Sequence, residues 1–477
     1  MKNNMSKPTI QAARKRSPRE VVIEYFQIDE RFFGLGNQLK YLIQTHGCQA
    51  NEADSEKIRG LLEKVGFSLA EAIEEADLIV VNTCAVRESA ENKVYGEIGR
   101  LKKFKKIKPE LIIAVGGCMS QEEATVDKIL KTYPQVDIVF GTHNLHQLLE
   151  YLHKAIVEKQ RVIEVFSEEG KIVENVPSVR MNRFKAWVNI MYGCDEFCTY
   201  CIVPYTRGKE RSRQPEQIAK EIQELIDKGY QEVTLLGQNV NSYGLDLPDS
   251  NTTFPNLLEK LSHMDIKRIR FTTSHPKDFS QELVDILAKG KNLMPYIHLP
   301  VQSGSDKILK SMNRKYTKDD YLSLVNSIYA AIPHVSITTD IIVGFPGETE
   351  ADFEATMELV RQAKFEGAYT FIYSKREGTP AAKYQDDVIN SDKKARLYQL
   401  NSLVNEGYLR GNLRFLHKIV DVLVEGKSKT KADVLSGYTP NNKLVNFKGS
   451  DDMIGKILPV KITKAKTWSL FGEIINE

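Results

Sequence analysis

Between residues 40 and 373 the chain alternates short apolar runs with amphipathic stretches, and this alternation limits the folds open to it. Tyr41-Leu42-Ile43-Gln44-Thr45 reads as a strand, and the stretch 51–66 behind it carries Ile58, Leu61, Leu62 and Val65 at helical spacing. The runs at 78–82, 111–115 and 138–141 repeat the pattern, with helical stretches between them. Strands that alternate with helices build a parallel sheet covered on both faces, so residues 36–154 are expected to form a doubly wound α/β domain. A second series occupies 184–191, 233–236, 268–273, 296–300, 337–343 and 369–373, with helical patterns at 216–228, 280–288, 318–331 and 351–364. These units predict an open, partial (β/α)6 barrel over residues 180–412, its site at the carboxyl ends of the strands. A helical stretch at 391–416 ends it. From His417 the period changes to two, with Gly, Asn and Lys turns, which predicts a small all-β barrel of OB type over residues 413–477. Residues 150–182 read as a connector. Residues 1–35 read as a disordered tail with a basic run at 12–19, a short helix being expected at 21–33.

The chain has 477 residues and six cysteines, and three of these crowd into Gly193-Cys194-Asp195-Glu196-Phe197-Cys198-Thr199-Tyr200-Cys201. Thiolates are soft ligands that suit zinc or iron. Structural zinc takes four protein ligands, commonly from paired motifs. On a [4Fe–4S] cluster three cysteines leave one iron open to a small molecule. The competing readings are a zinc knuckle with a distant fourth ligand and three buried thiols. The other cysteines, Cys48, Cys84 and Cys118, each follow an apolar strand directly. In a doubly wound sheet those turns share the carboxyl edge, where ligands bind, so topology brings the three together. The bland alternative is three unrelated core cysteines. A formal net charge of +3 confines any nucleic-acid footprint to a local patch. No run of apolar residues is long enough to span a membrane, and the polar, basic N-terminus lacks the apolar core of a signal peptide. A cytoplasmic location is expected, where cysteines read as metal ligands rather than disulfides.

The two cysteine trios followed by a small β-barrel resemble the radical S-adenosylmethionine (SAM) methylthiotransferases, over the whole chain from about Lys40. The run Phe197-Cys198-Thr199-Tyr200-Cys201-Ile202-Val203-Pro204-Tyr205-Thr206-Arg207-Gly208-Lys209-Glu210-Arg211-Ser212-Arg213 is most similar to the tRNA branch, which acts on isopentenylated (dimethylallyl) adenosine beside the anticodon. The resemblance implies a flavodoxin-like N-terminal domain, a radical SAM barrel and a C-terminal TRAM module that binds RNA. It implies two [4Fe–4S] clusters. The one on Cys194, Cys198 and Cys201 binds SAM and generates a 5′-deoxyadenosyl radical that takes hydrogen from C2 of adenine. The one on Cys48, Cys84 and Cys118 delivers sulfur, and a second SAM supplies the methyl group. This fits the bond attacked: an aromatic C–H offers no acidic proton, and radical chemistry belongs to a cofactor. The expected partners are the anticodon stem-loop of tRNA and a reductant such as flavodoxin or ferredoxin, with no membrane and a monomeric chain.

Tyr200, between two cluster ligands, and Gly237, Gln238, Gln302, Asp340 and Gly344, at strand ends, are candidates for the SAM pocket; each also reads as a turn or packing residue. Arg207, Lys209, Arg211 and Arg213 are candidates for substrate phosphate or the SAM carboxylate, against a solvated charge run. Phe447, Trp468 and Phe471 read either as stacking platforms for bases or as core. The basic run 102–108 reads as solvated surface. Rival assignments are the branches acting on threonylcarbamoyl adenosine in tRNA or on a ribosomal protein aspartate, and, in another class, a non-enzymatic iron–sulfur or zinc RNA-binding protein.

Overall fold

The computed structural model describes residues 22–475 apart from 86–87, 168–170, 250 and 429–432. They fall into two units, and the chain passes between these more than once. The first holds residues up to Met181 together with Met191–Phe197 and Cys201–Arg213; the second holds Asn182–Ile190, Cys198–Tyr200 and the chain from Gln214 onward.

The first unit is built on a six-stranded parallel sheet. Its strands lie in the order Ser68–Leu69, Lys40–Thr45, Leu78–Thr83, Ile112–Gly117, Ile138–Phe140, Val162–Glu164. This is the flavodoxin-like order with one strand added, and the order reverses between Lys40–Thr45 and Leu78–Thr83. Leu78 and Val80 point into one apolar cluster, with Leu61, Leu62 and Tyr151 of helices Gln49–Lys64 and Leu148–Ile156. Ile79 and Val81 point into the other, with Ile98, Leu101, Val126 and Ile129 of helices Glu88–Ile107 and Glu123–Thr132. Burial on both faces is why this strand is apolar without alternation.

Two expectations are corrected here. The domain does not end at 154: helix Leu148–Ile156 and strand Val162–Glu164 complete its core and its sheet, so much of the expected connector is structure. The expected tail or short helix does not extend to residue 35 either. Ile23–Tyr25 is a strand paired in parallel with Ile172–Glu174, and Phe32 is buried in the core, because three residues of backbone pairing and one ring are enough to fix the segment. The basic run 12–19 lies outside the described residues.

The second unit carries six parallel strands in chain order. Lys185–Asn189, Glu232–Leu236 and Arg268–Phe271 form one trio, and Tyr296–His298, Ser336–Val343 and Ala368–Ile372 the other. A parallel bridge between Ile269 and Leu293 links them. Helices follow the strands, including Phe254–Ser262 and Asp306–Ser311, which periodicity does not reveal. Helix Asn390–Leu413 leads to a closed five-stranded barrel of Ile419–Lys427, Val434–Tyr438, Leu444–Lys448, Leu470–Ile474 and Ile457–Ala465 around Val422, Val445, Phe447 and Leu470. That barrel is anchored within its unit by arginines from strand Arg268–Phe271. Arg268 Nη1 donates to the Tyr438 carbonyl at 2.8 Å and Nη2 to that of Asp421 at 3.0 Å. Arg270 Nη1 donates to Pro440 at 2.7 Å and Nη2 to Thr439 at 2.8 Å. Among the described residues no helix is long and apolar enough to cross a membrane.

Candidate metal centres

In the first unit, Cys48, Cys84 and Cys118 each stand where a strand of the sheet gives way to the next element. Cys48 is the N-cap residue of Gln49–Lys64, Cys84 follows Leu78–Thr83, and Cys118 opens a 3₁₀ turn after Ile112–Gly117. Cys48 and Cys84 flank the reversal of strand order, where a doubly wound sheet opens its ligand crevice. Buried polar bonds tie the turns together. Asn51 Nδ2 donates to the Thr83 carbonyl at 2.8 Å, Asn82 Nδ2 returns a bond to Asn51 O at 2.8 Å, and Thr83 Oγ1 donates to Gly116 O at 2.6 Å. Gly117, at φ 98°, lets Cys118 turn inward; a Cβ there would strike Thr83 and Asn82.

Cys84 and Cys118 are buried and Cys48 is half-buried. Burial pushes the Cys118 thiol up to about 12, against the pull of Arg207 and with Cys84 and Cys48 adding to the rise. Arg207 is itself buried. Its Nε donates to Cys118 Sγ at 3.2 Å and its Nη2 to Asp54 Oδ2 at 2.7 Å. Ala85, Ile202 and Tyr205 pack with Cys118, with Phe197 against them. The segment directly behind Cys201 thus walls the three-cysteine edge.

Met191–Phe197 and Cys201–Arg213 fold against each other within the same unit. Cys194 N–H donates to Gly208 O at 3.1 Å. Gly193 takes φ 78°, and a Cβ there would run into the Lys209 carbonyl. Arg213 is clamped by buried Glu174, Nε to Oε1 at 2.8 Å and Nη2 to Oε2 at 2.7 Å. The expectation that Arg207 and Arg213 meet a substrate phosphate or the SAM carboxylate therefore gives way. Both guanidiniums are buried in ion pairs, and withdrawing either would strand a carboxylate. Lys209 and Arg211 are half-buried, and Arg211 Nη2 donates to Arg207 O at 3.0 Å.

In the second unit, Cys198–Tyr200 is fastened to the barrel. Thr199 N–H donates to Met312 O at 3.0 Å, Thr199 Oγ1 to Ser311 O at 2.9 Å, and Thr199 O accepts from Ala381 N–H at 2.8 Å. Arg314, buried, donates from Nη1 to Cys198 Sγ at 3.4 Å and from Nη2 to Pro300 O at 2.8 Å. Tyr200 packs on the cluster of Ile308, Met312, Phe345 and Tyr373. Gln302 bridges to the strand Ser336–Val343 that carries Asp340, and Gly344 follows that strand's end. Gln302, at φ 74°, donates its N–H to Asp340 O at 2.9 Å, and Asp340 Oδ1 lies 3.4 Å from His298 Nε2. Gly344 N–H is taken by Glu348 Oε1 at 2.8 Å. Gly237 and Gln238 stand apart from these, behind Glu232–Leu236 in the other trio. On the small barrel Phe447 belongs to the core, which removes it as a stacking platform. Trp468 is 64% exposed beside Tyr408, and Lys461, Lys464 and Lys466 are exposed near it in sequence.

Sequence reasoning missed Asn51, Asp54 and Arg314. The first two carried a signal: Cys48, Asn51 and Asp54 recur every three residues along one helix, so polar groups share a face with the ligand candidate. Arg314 had none, being 116 residues from Cys198.

Three family models match the chain: the uncharacterised protein family UPF0004 over residues 40–141, the radical SAM superfamily over 188–360 and the TRAM domain over 414–475. A tRNA-2-methylthio-N(6)-dimethylallyladenosine synthase from Bacillus pumilus is 55% identical over 470 residues, covering 98% of this chain and 92% of the relative. The protein of the same name from Bacillus subtilis is 54% identical over 471 residues, with the same coverage. Among solved structures, the radical S-adenosylmethionine methyltransferase TsrM from Kitasatospora setae, with cobalamin and a [4Fe-4S] cluster bound, aligns with a TM-score of 0.53 at 13% identity, over 72% of this chain and 77% of that one. That likeness is one of fold.

Proposed function

Because the chain belongs to the radical SAM tRNA methylthiotransferases, among the tRNA-2-methylthio-N(6)-dimethylallyladenosine synthases, we propose that it converts dimethylallylated adenosine beside the anticodon of tRNA into its 2-methylthio derivative. The observation that carries this reading is identity above half along nearly the full length of relatives bearing that name. The protein is a transferase that uses SAM and [4Fe–4S] clusters. When bound, these groups supply the radical and sulfur-transfer chemistry that an unactivated aromatic C–H bond demands.

The chain's own residues divide the work. Cys48, Cys84 and Cys118 would hold one cluster, which would supply the sulfur-transfer chemistry. Cys194, Cys198 and Cys201 would hold the other, which would supply the SAM-derived radical. The donor sets fit: all six ligands are soft thiolates, two of each trio are buried, and a buried guanidinium stands at one sulfur of each. Tyr200, Gly237, Gln238, Gln302, Asp340 and Gly344 line the SAM pocket. Lys209 and Arg211 remain for substrate phosphate. Lys461, Lys464, Lys466 and Trp468 on the small barrel meet the RNA, the lysines on phosphates and the indole on a base. A flavodoxin or ferredoxin supplies electrons, the chain acts as a monomer, and the work is done in the cytoplasm. Nucleoside mass spectrometry of tRNA from a deletion strain tests the assignment. The 2-methylthio group should vanish and dimethylallyladenosine accumulate; unchanged nucleosides would sink it.

A further inference from the structure

We propose that Arg207, held in place by Asp54, is the positioning residue that sets the reduction potential of the cluster on Cys48, Cys84 and Cys118; this rests on the reading that those cysteines ligate one. Three observations within the first unit carry it. The guanidinium is buried, and its Nε donates to Cys118 Sγ at 3.2 Å. The other end of the same plane meets Asp54 Oδ2 at 2.7 Å, so separate nitrogens of one rigid planar fork serve a sulfur and a carboxylate in fixed geometry, whereas a lysine would have to serve both from a single flexible ammonium. Ala85, Ile202 and Tyr205 pack with Cys118, which keeps water from that sulfur and the effective dielectric low. Asp54 sits on the helix that Cys48 begins, so acid, cation and thiols are fixed by one framework.

Hydrogen bonds to sulfur and net local charge are principal levers on the potential of an iron–sulfur cluster. Reduction adds one electron, breaks no bond and moves no proton here. A cation with its N–H on a ligand sulfur favours the reduced form and raises the potential, and the neighbouring carboxylate opposes it. The two residues are therefore antagonists. The segment that carries Cys201 also carries, six residues on, the residue that tunes the other cluster.

The test uses the full-length chain with Cys198→Ala, so that one cluster is read, reconstituted anaerobically with iron and sulfide. Dithionite titration is followed by electron paramagnetic resonance. Arg207→Gln should lower the midpoint and Asp54→Asn should raise it, each changing the oxidised-to-reduced ratio at fixed poise at least about tenfold, or about 59 mV for one electron. Arg207→Lys, which keeps the charge and loses the shared fork, should fall between parent and Arg207→Gln. Equal midpoints in iron-replete variants overturn the proposal. Should Arg207→Gln fail to load iron, Asp54→Asn decides: an upward shift supports the proposal and none overturns it. Adding Cys84→Ala to the same background tests the premise separately. Undiminished iron there means that the ligand assignment, not the role of Arg207, has failed.

Discussion

Replacing Arg270 with methionine should loosen the small C-terminal barrel from the rest of its unit. The guanidinium gives two hydrogen bonds to backbone carbonyls, those of Pro440 and Thr439. It also stands 3.0 Å, through Nε, from Glu232 Oε2, in ion-pair range though out of line for a hydrogen bond. Charge-assisted bonds are worth roughly 1.5–3 kcal/mol each, and breaking a buried pair costs about 3–5 kcal/mol. Glu232 keeps Arg268 at 3.9 Å and Lys185 at 3.8 Å, so the lower part of that range, about 3–4 kcal/mol, is expected. The chain's two tryptophans, Trp187 and Trp468, both lie in the second unit, so urea unfolding followed by their fluorescence reports on the unit in question. Adding Glu232→Gln to Arg270→Met should recover part of the loss, because no carboxylate is then stranded. A loss below about 1 kcal/mol, or no recovery in the double variant, would refute the reasoning. Cutting the chain at residue 413 is a poorer experiment, because it uncovers Arg268, Arg270 and Glu232 together.

The cysteine trios should be chemically separable. Cys84→Ala is expected to lose about half the iron if each site holds a cubane, and to cleave SAM without methylthiolating tRNA. Cys198→Ala should keep the other cluster and lose both activities, as read by iron content, 5′-deoxyadenosine and modified nucleoside. Stability should fall in mild acid through His275. Burial, with Arg314, Lys277 and Lys315 adding to it, pushes that imidazole down to about 2. With the folded value below the unfolded one, the contribution is complete above about pH 6.5 and is lost as pH falls, at up to about 1.4 kcal/mol per pH unit. His275→Asn retains an acceptor for Lys277 N–H and does not titrate, so its unfolding free energy between pH 7 and 5 should fall less steeply than the parent's; parallel profiles would refute this.

What could be read from the chain was what periodicity and punctuation encode. The unbroken apolar run Leu78-Ile79-Val80-Val81 announced a strand covered on both faces, and it is one. Helix Lys318–Ala331 starts where expected because Thr317 and Asp320 form a reciprocal capping box. Failures came where a residue's meaning lies far along the chain. Arg207 and Arg213 looked like one cationic run, yet their partners Asp54 and Glu174 are 153 and 39 residues away. Arg268 and Arg270 lie in a run that reads only as a barrel strand, while their carbonyl partners arrive roughly 150–170 residues later. Ile23–Tyr25 is too short to show a period and is fixed by a strand at Ile172–Glu174. Gln302 and Asp340 were chosen for residue type and place near strand ends, whereas their shared backbone bonding needed the register of two strands.

The return of Met191–Phe197 and Cys201–Arg213 to the first unit bears on the order of events at the ribosome. The last strand of that unit's sheet ends at Glu164, and the cation beside Cys118 emerges with Arg207. At 5–20 residues per second that interval takes roughly 2–9 s of synthesis. During it the sheet can be complete while the wall of Ile202 and Tyr205 has yet to be made. The nascent edge of Cys48, Cys84 and Cys118 would then stay open until the chain's own later arrival covers it.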